Sequence, residues 1–417
     1  MKRKWTIITT AMLCIILTVC ACSKKEDTPT FTGDTTEEPP YQGNLNAISP
    51  SAYDNAEGLK LEPGSYISII GKDNSSAYWK EIKRGVEQAA EDLNKALGYS
   101  GDDKVKVTYN APGGVEDIDE QVNILDEELA RYPDALGIAS IDAEACTVQF
   151  DLATENGIPI IALDSGNSYQ GIQCTIKTDN EEAARTGAYK LCDEIEDKGS
   201  ILLLVHDSKS ATGRERESSF KSEIESGHPD VTIAETLYLD KMDDMKKAIA
   251  EEQNKANKED KEDKDDKEQV KEDKEPVKDD KEEVKEEKEQ AKEVTADSLT
   301  DEDVIQYYLE KHPEIKGCFG TNVTATQLAV SALSQAEKTE EIVLMGFDAG
   351  KEQLDALRDG EIKGLVVQNP FGIGYASVIA AARTVLEVGN EAEVNTGYIW
   401  VTQENMEEES IQNMLYE

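Results

Sequence analysis

Polar or charged side chains follow several short apolar runs of this chain, at the point where each run ends. The carboxyl ends of parallel strands meet at one edge of a sheet, so side chains that are distant in sequence would converge there. Carboxylates accept hydrogen bonds and amides both donate and accept them, which suits the binding of a small polar molecule. The residues at these strand ends are Asp164, His206, Asp207, Asn322, Asp348 and Gln368. The pattern therefore predicts a small-molecule site in a crevice at this edge.

Short apolar runs alternate with amphipathic helices, which is typical of parallel sheets covered by helices on both faces. One set extends from a strand over 65–71 to a strand over 159–163, and a second set continues to a strand over 365–368. A helix over 372–388 and a strand over 397–401 can cross back to the first set. The sequence therefore predicts an α/β protein with two doubly wound parallel-sheet lobes joined by a multi-strand hinge.

Two segments lie outside this alternation. Residues 22–63 mix proline with polar residues and bury little, so we expect a flexible polar linker. Residues 251–295 form a charged low-complexity insert, helical or disordered, in which lysines recur between acids at a spacing that supports a solvated helix. The predicted N-terminal lobe comprises 64–177 plus 369–399, and the predicted C-terminal lobe comprises 178–368 plus 400–417.

The N-terminus has the pattern of a lipoprotein export signal. Basic residues at 2–4 precede an apolar run over 7–19, and the small residue Ala21 stands directly before Cys22. The run is shorter than the roughly 20 residues of a membrane-spanning helix. We therefore expect a signal peptide over 1–21 and lipidation of the Cys22 thiol, which would anchor the protein on the outer face of the cell membrane. An ordinary secretory signal cut elsewhere is the alternative.

Charge and cysteine usage narrow the possible partners. The net charge of −43 at pH 7 argues against nucleic acid and anionic membrane surfaces, since both would repel the chain. The cysteines that follow Cys22 lie within apolar helix or strand patterns, where buried free thiols are commoner than disulfides. They are Cys146, Cys174, Cys192 and Cys318. We expect no essential disulfide.

Patterns typical of enzymes and metal sites are weak in this sequence. His206, His228 and His312 are far apart and show no ligand spacing, so no metal is expected. No Walker loop is present, and the GxG at 372–374 lacks a nucleotide-binding context, so we expect it to open a helix packed close to the sheet. We therefore predict no catalytic residues, no cofactor and no enzymatic activity. A glycoside hydrolase is the alternative that substrate turnover would reveal.

A series of short motifs runs from residue 78 to residue 370. They are Tyr78-Trp79 before a helix containing Gly85, GIPIIALD at 157–164, TDN at 178–180, GRER at 213–216, FGTN at 319–322, GFD at 346–348 and QNP at 368–370. In this order and spacing, the chain resembles the type I periplasmic sugar-binding proteins, the ribose-binding-like receptors of ABC importers. The likeness extends from about Pro63 to the C-terminus apart from the insert. It implies two lobes that close over a sugar and a closed form that docks on a permease.

The resemblance also implies roles for individual residues. Tyr78 and Trp79 would stack on the ligand, and its hydroxyls would bond to Asp164, Arg214, Asn322, Asp348 and Gln368. The chain departs from the family at Ala77, Ser165 and Val323, where proline, arginine and aspartate are frequent. The chemistry of sugars agrees with such a site, because they combine hydroxyls with an apolar face of CH groups. Helix capping by Asp348, a turn at Asp164 and a surface position for Arg214 are the alternatives.

These expectations converge on a monomeric, lipid-anchored extracytoplasmic solute-binding protein. It would capture a small polyhydroxylated ligand, a monosaccharide, and deliver it to the transmembrane subunits of an ABC permease. A sensory receptor that presents the ligand to a membrane signalling protein is the alternative. A DNA-binding regulator with the same two-lobed fold is disfavoured, since no helix-turn-helix precedes residue 65.

Overall fold

The computed structural model describes residues 38–114, 117–272 and 293–416, and it describes the side chains of these residues except those of 258–272. The predicted signal peptide over 1–21 and the predicted lipidation site, Cys22, lie outside the described residues. Within the described part of the chain, no helix combines the length and the apolar composition that crossing a membrane requires.

Strands and helices alternate along most of the described chain. The strands are β1 Tyr66–Ile70, β2 Lys106–Asn110, β3 Ala135–Ile138, β4 Ile160–Leu163, β5 Ile172–Lys177, β6 Gly199–Val205, β7 Val231–Tyr238, β8 Ile315–Gly320, β9 Val343–Phe347, β10 Gly364–Gln368, β11 Glu393–Asn395 and β12 Tyr398–Val401. The helices are α1 Gln42–Asn46, α2 Ala77–Leu97, α3 Ile118–Leu129, α4 Thr147–Glu155, α5 Asn180–Glu194, α6 Ala211–Gly227, α7 Met242–Glu272, α8 Asp301–Lys311, α9 Val323–Gln335, α10 Lys351–Asp359, α11 Pro370–Val385 and α12 Glu409–Gln412.

The described strands form two six-stranded sheets, one in each lobe. The first has the order β11-β5-β4-β3-β1-β2 and is parallel throughout. The second has the order β12-β10-β9-β8-β6-β7 and is parallel except for β12, which runs antiparallel to β10. Strands such as β6 and β10 are buried almost throughout because helices cover both faces of each sheet. The two doubly wound lobes confirm the predicted fold class.

Helix α11 returns the chain to the first lobe and packs closely against α2. A Cβ atom at Gly374 would lie 1.9 Å from the carbonyl oxygen of Ile82, and one at Gly85 would lie 2.1 Å from that of Phe371. The two helices can therefore approach this closely only with glycine at both positions. The GxG at 372–374 lies in the first turns of this helix, in agreement with the structural role expected for it.

The chain passes between the lobes after β5, after β10 and between β11 and β12, which gives the predicted multi-strand hinge. The predicted path of the last strand is wrong. Strand β12 pairs with β10 in the second sheet, and the short strand β11 before it pairs with β5 in the first. Gly397, which has a φ of 77°, lies at the turn between them. The lobe boundary therefore falls at 396–397 rather than after residue 399.

The structure also corrects part of the prediction of a flexible linker over residues 22–63, of which 22–37 lie outside the described residues. From Tyr41 to Leu61 the segment packs against the first lobe and the hinge, and it buries Leu45 and Tyr53 in the main hydrophobic core. The Asn44 side chain donates to Asn369 Oδ1 at 3.0 Å, and Asn369 donates to the Asn44 carbonyl oxygen at 2.7 Å. The apolar residues here are too sparse to show a period, but most of them are buried in the core.

The charged insert starts and ends at one place on the second lobe. The side-chain amide of Asn254 donates to the Val294 carbonyl oxygen at 2.7 Å, and the Val294 N–H donates to Asn254 Oδ1 at 3.0 Å. Helix α7 extends as far as Glu272, so the described start of the insert has the helical form of the two forms expected, and residues 273–292 lie outside the described residues. This paired amide joins the two ends of the insert, so the fold of the lobe is continuous across it.

The four cysteines of the lobes are buried free thiols. Burial raises the pKa of the Cys146 thiol to about 11 and that of the Cys318 thiol to about 12. Both thiols therefore stay protonated at neutral pH, where they act as small apolar side chains.

Candidate functional site

A cavity of about 150 Å³ lies between the carboxyl edges of the two sheets. This is far above the roughly 10–15 Å³ that one water requires, so a small polar molecule fits. The lining residues of the first lobe are Lys72, Asp73, Ser76, Tyr78, Trp79 and Asp164, and those of the second lobe are His206, Thr212, Arg216, Asn322, Val323, Thr324, Asp348 and Gln368. Six of the seven residues that the sequence assigned to the ligand line this cavity, the exception being Arg214; of the other two strand-end residues, His206 lines it and Asp207 does not.

Asp164 and Asp348 occupy equivalent positions in the two lobes. Asp164 follows β4 with a φ of 56°, and Asp348 follows β9 with a φ of 73°. Residues other than glycine rarely adopt this left-handed conformation, although aspartate tolerates it better than most. Such strained positions cluster at functional sites. Each turn aims a carboxylate at the cavity from the end of its own sheet.

The carboxylate of Asp348 is 3% exposed and is held by hydrogen bonds from three elements. Gln368 Nε2 donates to Oδ1 at 2.7 Å, Tyr416 Oη donates to the same oxygen at 3.1 Å, and the Val323 N–H donates to Oδ2 at 3.2 Å. Burial raises the pKa of Asp348 above its ordinary value, an effect that the Arg216 guanidinium opposes. The carboxylate is thus fixed in position while it keeps lone pairs for a ligand.

Tyr78 bonds to Asp164 directly and contacts Asp348 through Tyr416, whose hydroxyl donates to Asp348. Its hydroxyl donates to Asp164 Oδ1 at 2.6 Å, and its ring meets the ring of Tyr416 edge to face at a centroid distance of 5.7 Å. Burial and the Asp164 carboxylate raise the pKa of Tyr78 well above its ordinary value, so its hydroxyl remains a donor. The indole of Trp79 lies beside it at 5.6 Å, also edge to face. The cavity therefore has an aromatic wall next to its acceptors.

Arg214 is not brought to the cavity, and Arg216 takes the place predicted for it. Arg214 is exposed, and its guanidinium donates to the Lys209 carbonyl oxygen. Arg216 is 3% exposed, and its Nε and Nη1 donate to Asn180 Oδ1 at 2.8 Å and to the Thr321 carbonyl oxygen at 2.7 Å. Two positions along a helix differ by about 200° in direction at 3.6 residues per turn. Only one of the two arginines can therefore face the cavity.

Two matching loops position the helices that reach the cavity. Asp73 accepts hydrogen bonds from the N–H and the Oγ of Ser76, both at 2.9 Å, after β1. Asp207 accepts from the N–H and the Oγ of Ser210 after β6. Each serine in turn caps its helix, α2 or α6. The same capped turn thus places Tyr78 at the cavity from one lobe and the first turns of α6 at it from the other.

His206 contributes a neutral imidazole to the cavity wall. Burial and the nearby Arg216 guanidinium lower the pKa of His206 to about 3. Its Nδ1 lies 2.8 Å from Thr321 Oγ1 and its Nε2 lies 3.3 Å from Thr212 Oγ1. The ring therefore serves as a hydrogen-bonding group at neutral pH rather than as a cation.

The sequence pattern missed several residues of this site. Lys72 is buried in the cavity wall with its Nζ 4.0 Å from Asp164 Oδ2, and it directly follows the predicted first strand, where the rule of strand ends could have found it. Arg216 lies in the GRER motif, but the sequence alone does not show which arginine of that motif faces the cavity. Tyr416 is 3% exposed although it is next to the last residue, and nothing in its local sequence indicates this.

Comparison with known proteins places this chain in a family. A model of the periplasmic binding protein domain matches residues 67–262 and 256–390, which span both lobes. The chain belongs to the periplasmic binding protein domain family. The members of this family are extracytoplasmic substrate-binding proteins, and the match confirms the resemblance predicted from the motifs.

Individual members are similar over most of their length. The D-apiose import binding protein of Paraburkholderia graminis is 22% identical over 331 residues, which are 79% of this chain and 83% of that protein. A carbohydrate transporter solute-binding protein of Agrobacterium radiobacter, in complex with D-arabinose, has a TM-score of 0.63 and 22% identity over 84% of this chain and 98% of its own. An ABC transporter solute-binding protein of Agrobacterium vitis, bound to α-D-tagatopyranose, has a TM-score of 0.63 and 22% identity over 85% and 99%.

Proposed function

We propose that this member of the periplasmic binding protein domain family captures a monosaccharide between its lobes and delivers it to an ABC permease. The observation that carries the proposal is the pairing of buried carboxylates from both lobes, Asp164 and Asp348, across one cavity with an aromatic wall. Hydroxyl groups donate to carboxylates, and the CH face of a sugar packs on an aromatic ring. The named relatives that import or bind sugars support the same class of ligand.

Each polar residue has a defined part in this proposal. Asp164 and Asp348 accept from sugar hydroxyls, and Arg216 donates through the nitrogen that its two protein partners leave unused. Asn322 uses its Oδ1 to cap α9, which leaves its amide nitrogen as a donor for the ligand. Gln368 uses its nitrogen on Asp348 and offers its carbonyl oxygen. Tyr78 and Trp79 form the apolar wall.

A ligand in this cavity contacts both lobes, so its binding favours the closed arrangement. A ligand shifts a conformational equilibrium only by its difference in affinity for the two states. Here the first lobe supplies Asp164 and Trp79, and the second supplies Asp348 and Arg216. Opening at the hinge would separate these groups and lose half of the contacts. The closed, ligand-bound arrangement therefore differs in shape from the open one, and a permease can distinguish the two.

The N-terminal sequence and the family support a proposal for the cellular location of the protein. We propose that the mature chain begins at Cys22 and is held by lipid on the outer face of the membrane as a monomer. The lipobox-like arrangement of Ala21 and Cys22 supports the anchor. In this role the protein binds and releases its ligand unchanged rather than acting as an enzyme.

Tryptophan fluorescence gives a direct test of ligand binding. The chain has three tryptophans, of which Trp5 lies in the predicted signal peptide, Trp79 in the cavity wall and Trp400 in β12. In a Trp400→Phe variant without its signal peptide, Trp79 is the single tryptophan. We expect one of a panel containing D-apiose, D-arabinose, D-ribose, D-tagatose and D-fucose to change its emission saturably, with one site per chain by calorimetry.

Mass spectrometry of ligand released from the purified protein identifies the natural compound independently of the panel. A pentose or hexose among the released compounds supports the proposal. Amino acids and oligopeptides serve as control ligands, because they carry charges that the cavity would also have to neutralise. Binding of these alone, or saturable binding that leaves Trp79 emission unchanged, contradicts a monosaccharide site at this cavity.

The raised pKa of Asp348 predicts a pH dependence of sugar affinity. Burial shifts this pKa above its ordinary value of 3.8, so protonation begins at a higher pH than for an exposed aspartate. A protonated carboxyl loses acceptor capacity for the sugar hydroxyls, so affinity should fall as the pH falls through the raised pKa. Calorimetric titrations from neutral pH to about pH 4 would measure this. An affinity that stays constant or rises on acidification would contradict it.

A further inference from the structure

A second cluster of chemically reactive side chains lies in the C-terminal lobe, at the edge of the sheet opposite the cavity. Cys192 is near the end of α5, Asp197 precedes β6, and His228 follows α6. The Cys192 Sγ, a carboxylate oxygen of Asp197 and a ring nitrogen of His228 all lie within 4.8 Å of one another. Among the residues that the structure describes, no other group of histidine, cysteine and acidic side chains converges in this way.

The histidine of this cluster has one satisfied and one unsatisfied nitrogen. Its side chain is buried, and its Nδ1 lies 2.6 Å from Asp197 Oδ1. Its Nε2 is buried without a hydrogen-bond partner among the described residues, and the closest carboxylate oxygen, Glu223 Oε1, is 3.8 Å away. A buried polar atom without a partner is costly, so its presence calls for an explanation.

A metal ion would give His228 Nε2 the partner that the described side chains around it do not supply. Metal-binding histidines commonly donate one ring N–H to a carboxylate, which fixes the tautomer and leaves the other nitrogen as the ligand. Asp197 holds His228 in this way. We propose that Cys192, Asp197 and His228 bind a zinc ion, with the Asp197 carboxylate also orienting His228 through Oδ1. The Glu223 carboxylate, 3.8 Å from His228 Nε2, can complete the site. Thiolate, imidazole and carboxylate are the donors that zinc takes in proteins, whereas calcium and magnesium take oxygen ligands.

Charge and access also suit a cation at this site. The carboxylates of Asp197 and Glu223 lie 2.6 Å and 3.8 Å from the two ring nitrogens of His228, so a cation here would meet two negatively charged groups. The side chain of Asp197 is 62% exposed, so one ligand of the site is accessible from solvent. Zinc binding would convert the thiol to a thiolate and release one proton to solvent.

The position of the site indicates what the ion would do. It would join the end of α5, the loop before β6 and the end of α6, which are adjacent in the fold but distant from the sugar cavity. An ion that binds the folded chain and not the unfolded chain raises stability by mass action. We therefore expect zinc to stabilise the C-terminal lobe without changing sugar contacts. The negative net charge of the chain favours cation capture.

Cobalt(II) is the probe of choice, because its thiolate complexes have a charge-transfer absorption that carboxylate complexes lack. The purified protein, freed of metal with a chelator, should bind one equivalent of Co²⁺ with this absorption, and Zn²⁺ should displace it. Zinc should raise the melting temperature, and binding should release a proton measurable in a weakly buffered solution. Cys192→Ser should abolish the thiolate absorption, and His228→Gln should weaken zinc binding by at least about 10-fold.

Matched controls are present in the same lobe. Cys318 is a buried free thiol in β8, and His312 is paired with Glu314 at 3.1 Å on the surface, so Cys318→Ser and His312→Gln should leave metal binding unchanged. Circular dichroism in the presence of chelator checks that each variant is folded. Adventitious binding to the acidic surface gives no thiolate absorption in the unmutated protein, and that result would overturn the proposal whether or not the variants fold. Equal zinc affinity of His228→Gln and His312→Gln would also overturn it.

Discussion

Replacing Asp348 with asparagine should weaken binding of the preferred monosaccharide by about 10- to 100-fold, since hydrogen bonds to a charged group contribute about 1.5–3 kcal/mol and each 1.4 kcal/mol is tenfold. Asparagine keeps the volume of the side chain and tolerates the left-handed backbone, whose φ is 73°. It lacks the charge and one acceptor oxygen, so it cannot serve Gln368, Val323 and a sugar hydroxyl as Asp348 does. Calorimetry and Trp79 fluorescence in the Trp400→Phe background would measure the loss.

Asp355→Asn is the matched control for this substitution. Asp355 lies on α10 of the same lobe, and its carboxylate pairs at the surface with Lys351 and Arg358. Its substitution should change sugar affinity less than about twofold, because exposed ion pairs contribute little. The Asp348→Asn protein should also lose the pH dependence expected of the unmutated site. An unchanged affinity in Asp348→Asn would remove the proposed site.

The parts of the site that the sequence predicted share one physical origin. Asp164 and Asp348 directly follow a buried strand, Gln368 ends one, and Asn322 is the second residue after one. Parallel topology brings such positions to one edge whatever the details of packing, so apolar runs and their ends are enough to find them. The same runs gave the alternation of strands and helices, and hence the two-lobed fold.

The parts that the sequence missed depend on direction or on long-range packing. Choosing between Arg214 and Arg216 requires the rotational phase of α6, which the local pattern leaves open because both arginines adjoin Glu215 and neither lies in an apolar stripe. Tyr416 reaches Asp348 only because the C-terminal segment packs back on the lobe and buries Met406 and Met414. The segment around Leu45 has no periodicity, and its order comes from contacts with residues more than 300 positions away, such as that of Asn44 with Asn369.

The two short strands at the hinge, β11 and β12, are also features that the local sequence pattern does not determine. Strand β11 is three residues long, and β12 runs antiparallel at the edge of a parallel sheet, so neither carries the long apolar run that identifies a central strand. Their assignment to different lobes is decided by the turn at Gly397, where the φ is 77°. A turn of one residue can redirect a strand to another sheet while leaving the sequence pattern of the strand unchanged.

The two arginines of α6 allow the second large effect to be measured within one helix. Arg216→Met should reduce sugar affinity by about 100-fold or more, because it removes a donor to the ligand and the cation beside Asp348. It also leaves Asn180 Oδ1 and the Thr321 carbonyl oxygen without their partner, at about 1–3 kcal/mol each. The melting temperature should fall as well, by about 2–4 °C per kcal/mol. Calorimetry and thermal unfolding would measure the two losses separately.

Arg214→Met makes the same chemical change two residues away on the exposed side of the helix. Its guanidinium contacts only the Lys209 carbonyl oxygen among the hydrogen bonds found for it in the described chain, so affinity and melting temperature should stay close to those of the unmutated protein. Arg216→Lys separates the contribution of the positive charge from that of the guanidinium hydrogen bonds. Lysine keeps the charge but lacks the planar group that donates to Asn180 and Thr321 together. An affinity between those of Arg216→Met and the unmutated protein is expected. If Arg214→Met lost affinity and Arg216→Met kept it, α6 would have to present its opposite face to the ligand, and the cavity between the lobes could not be the sugar site.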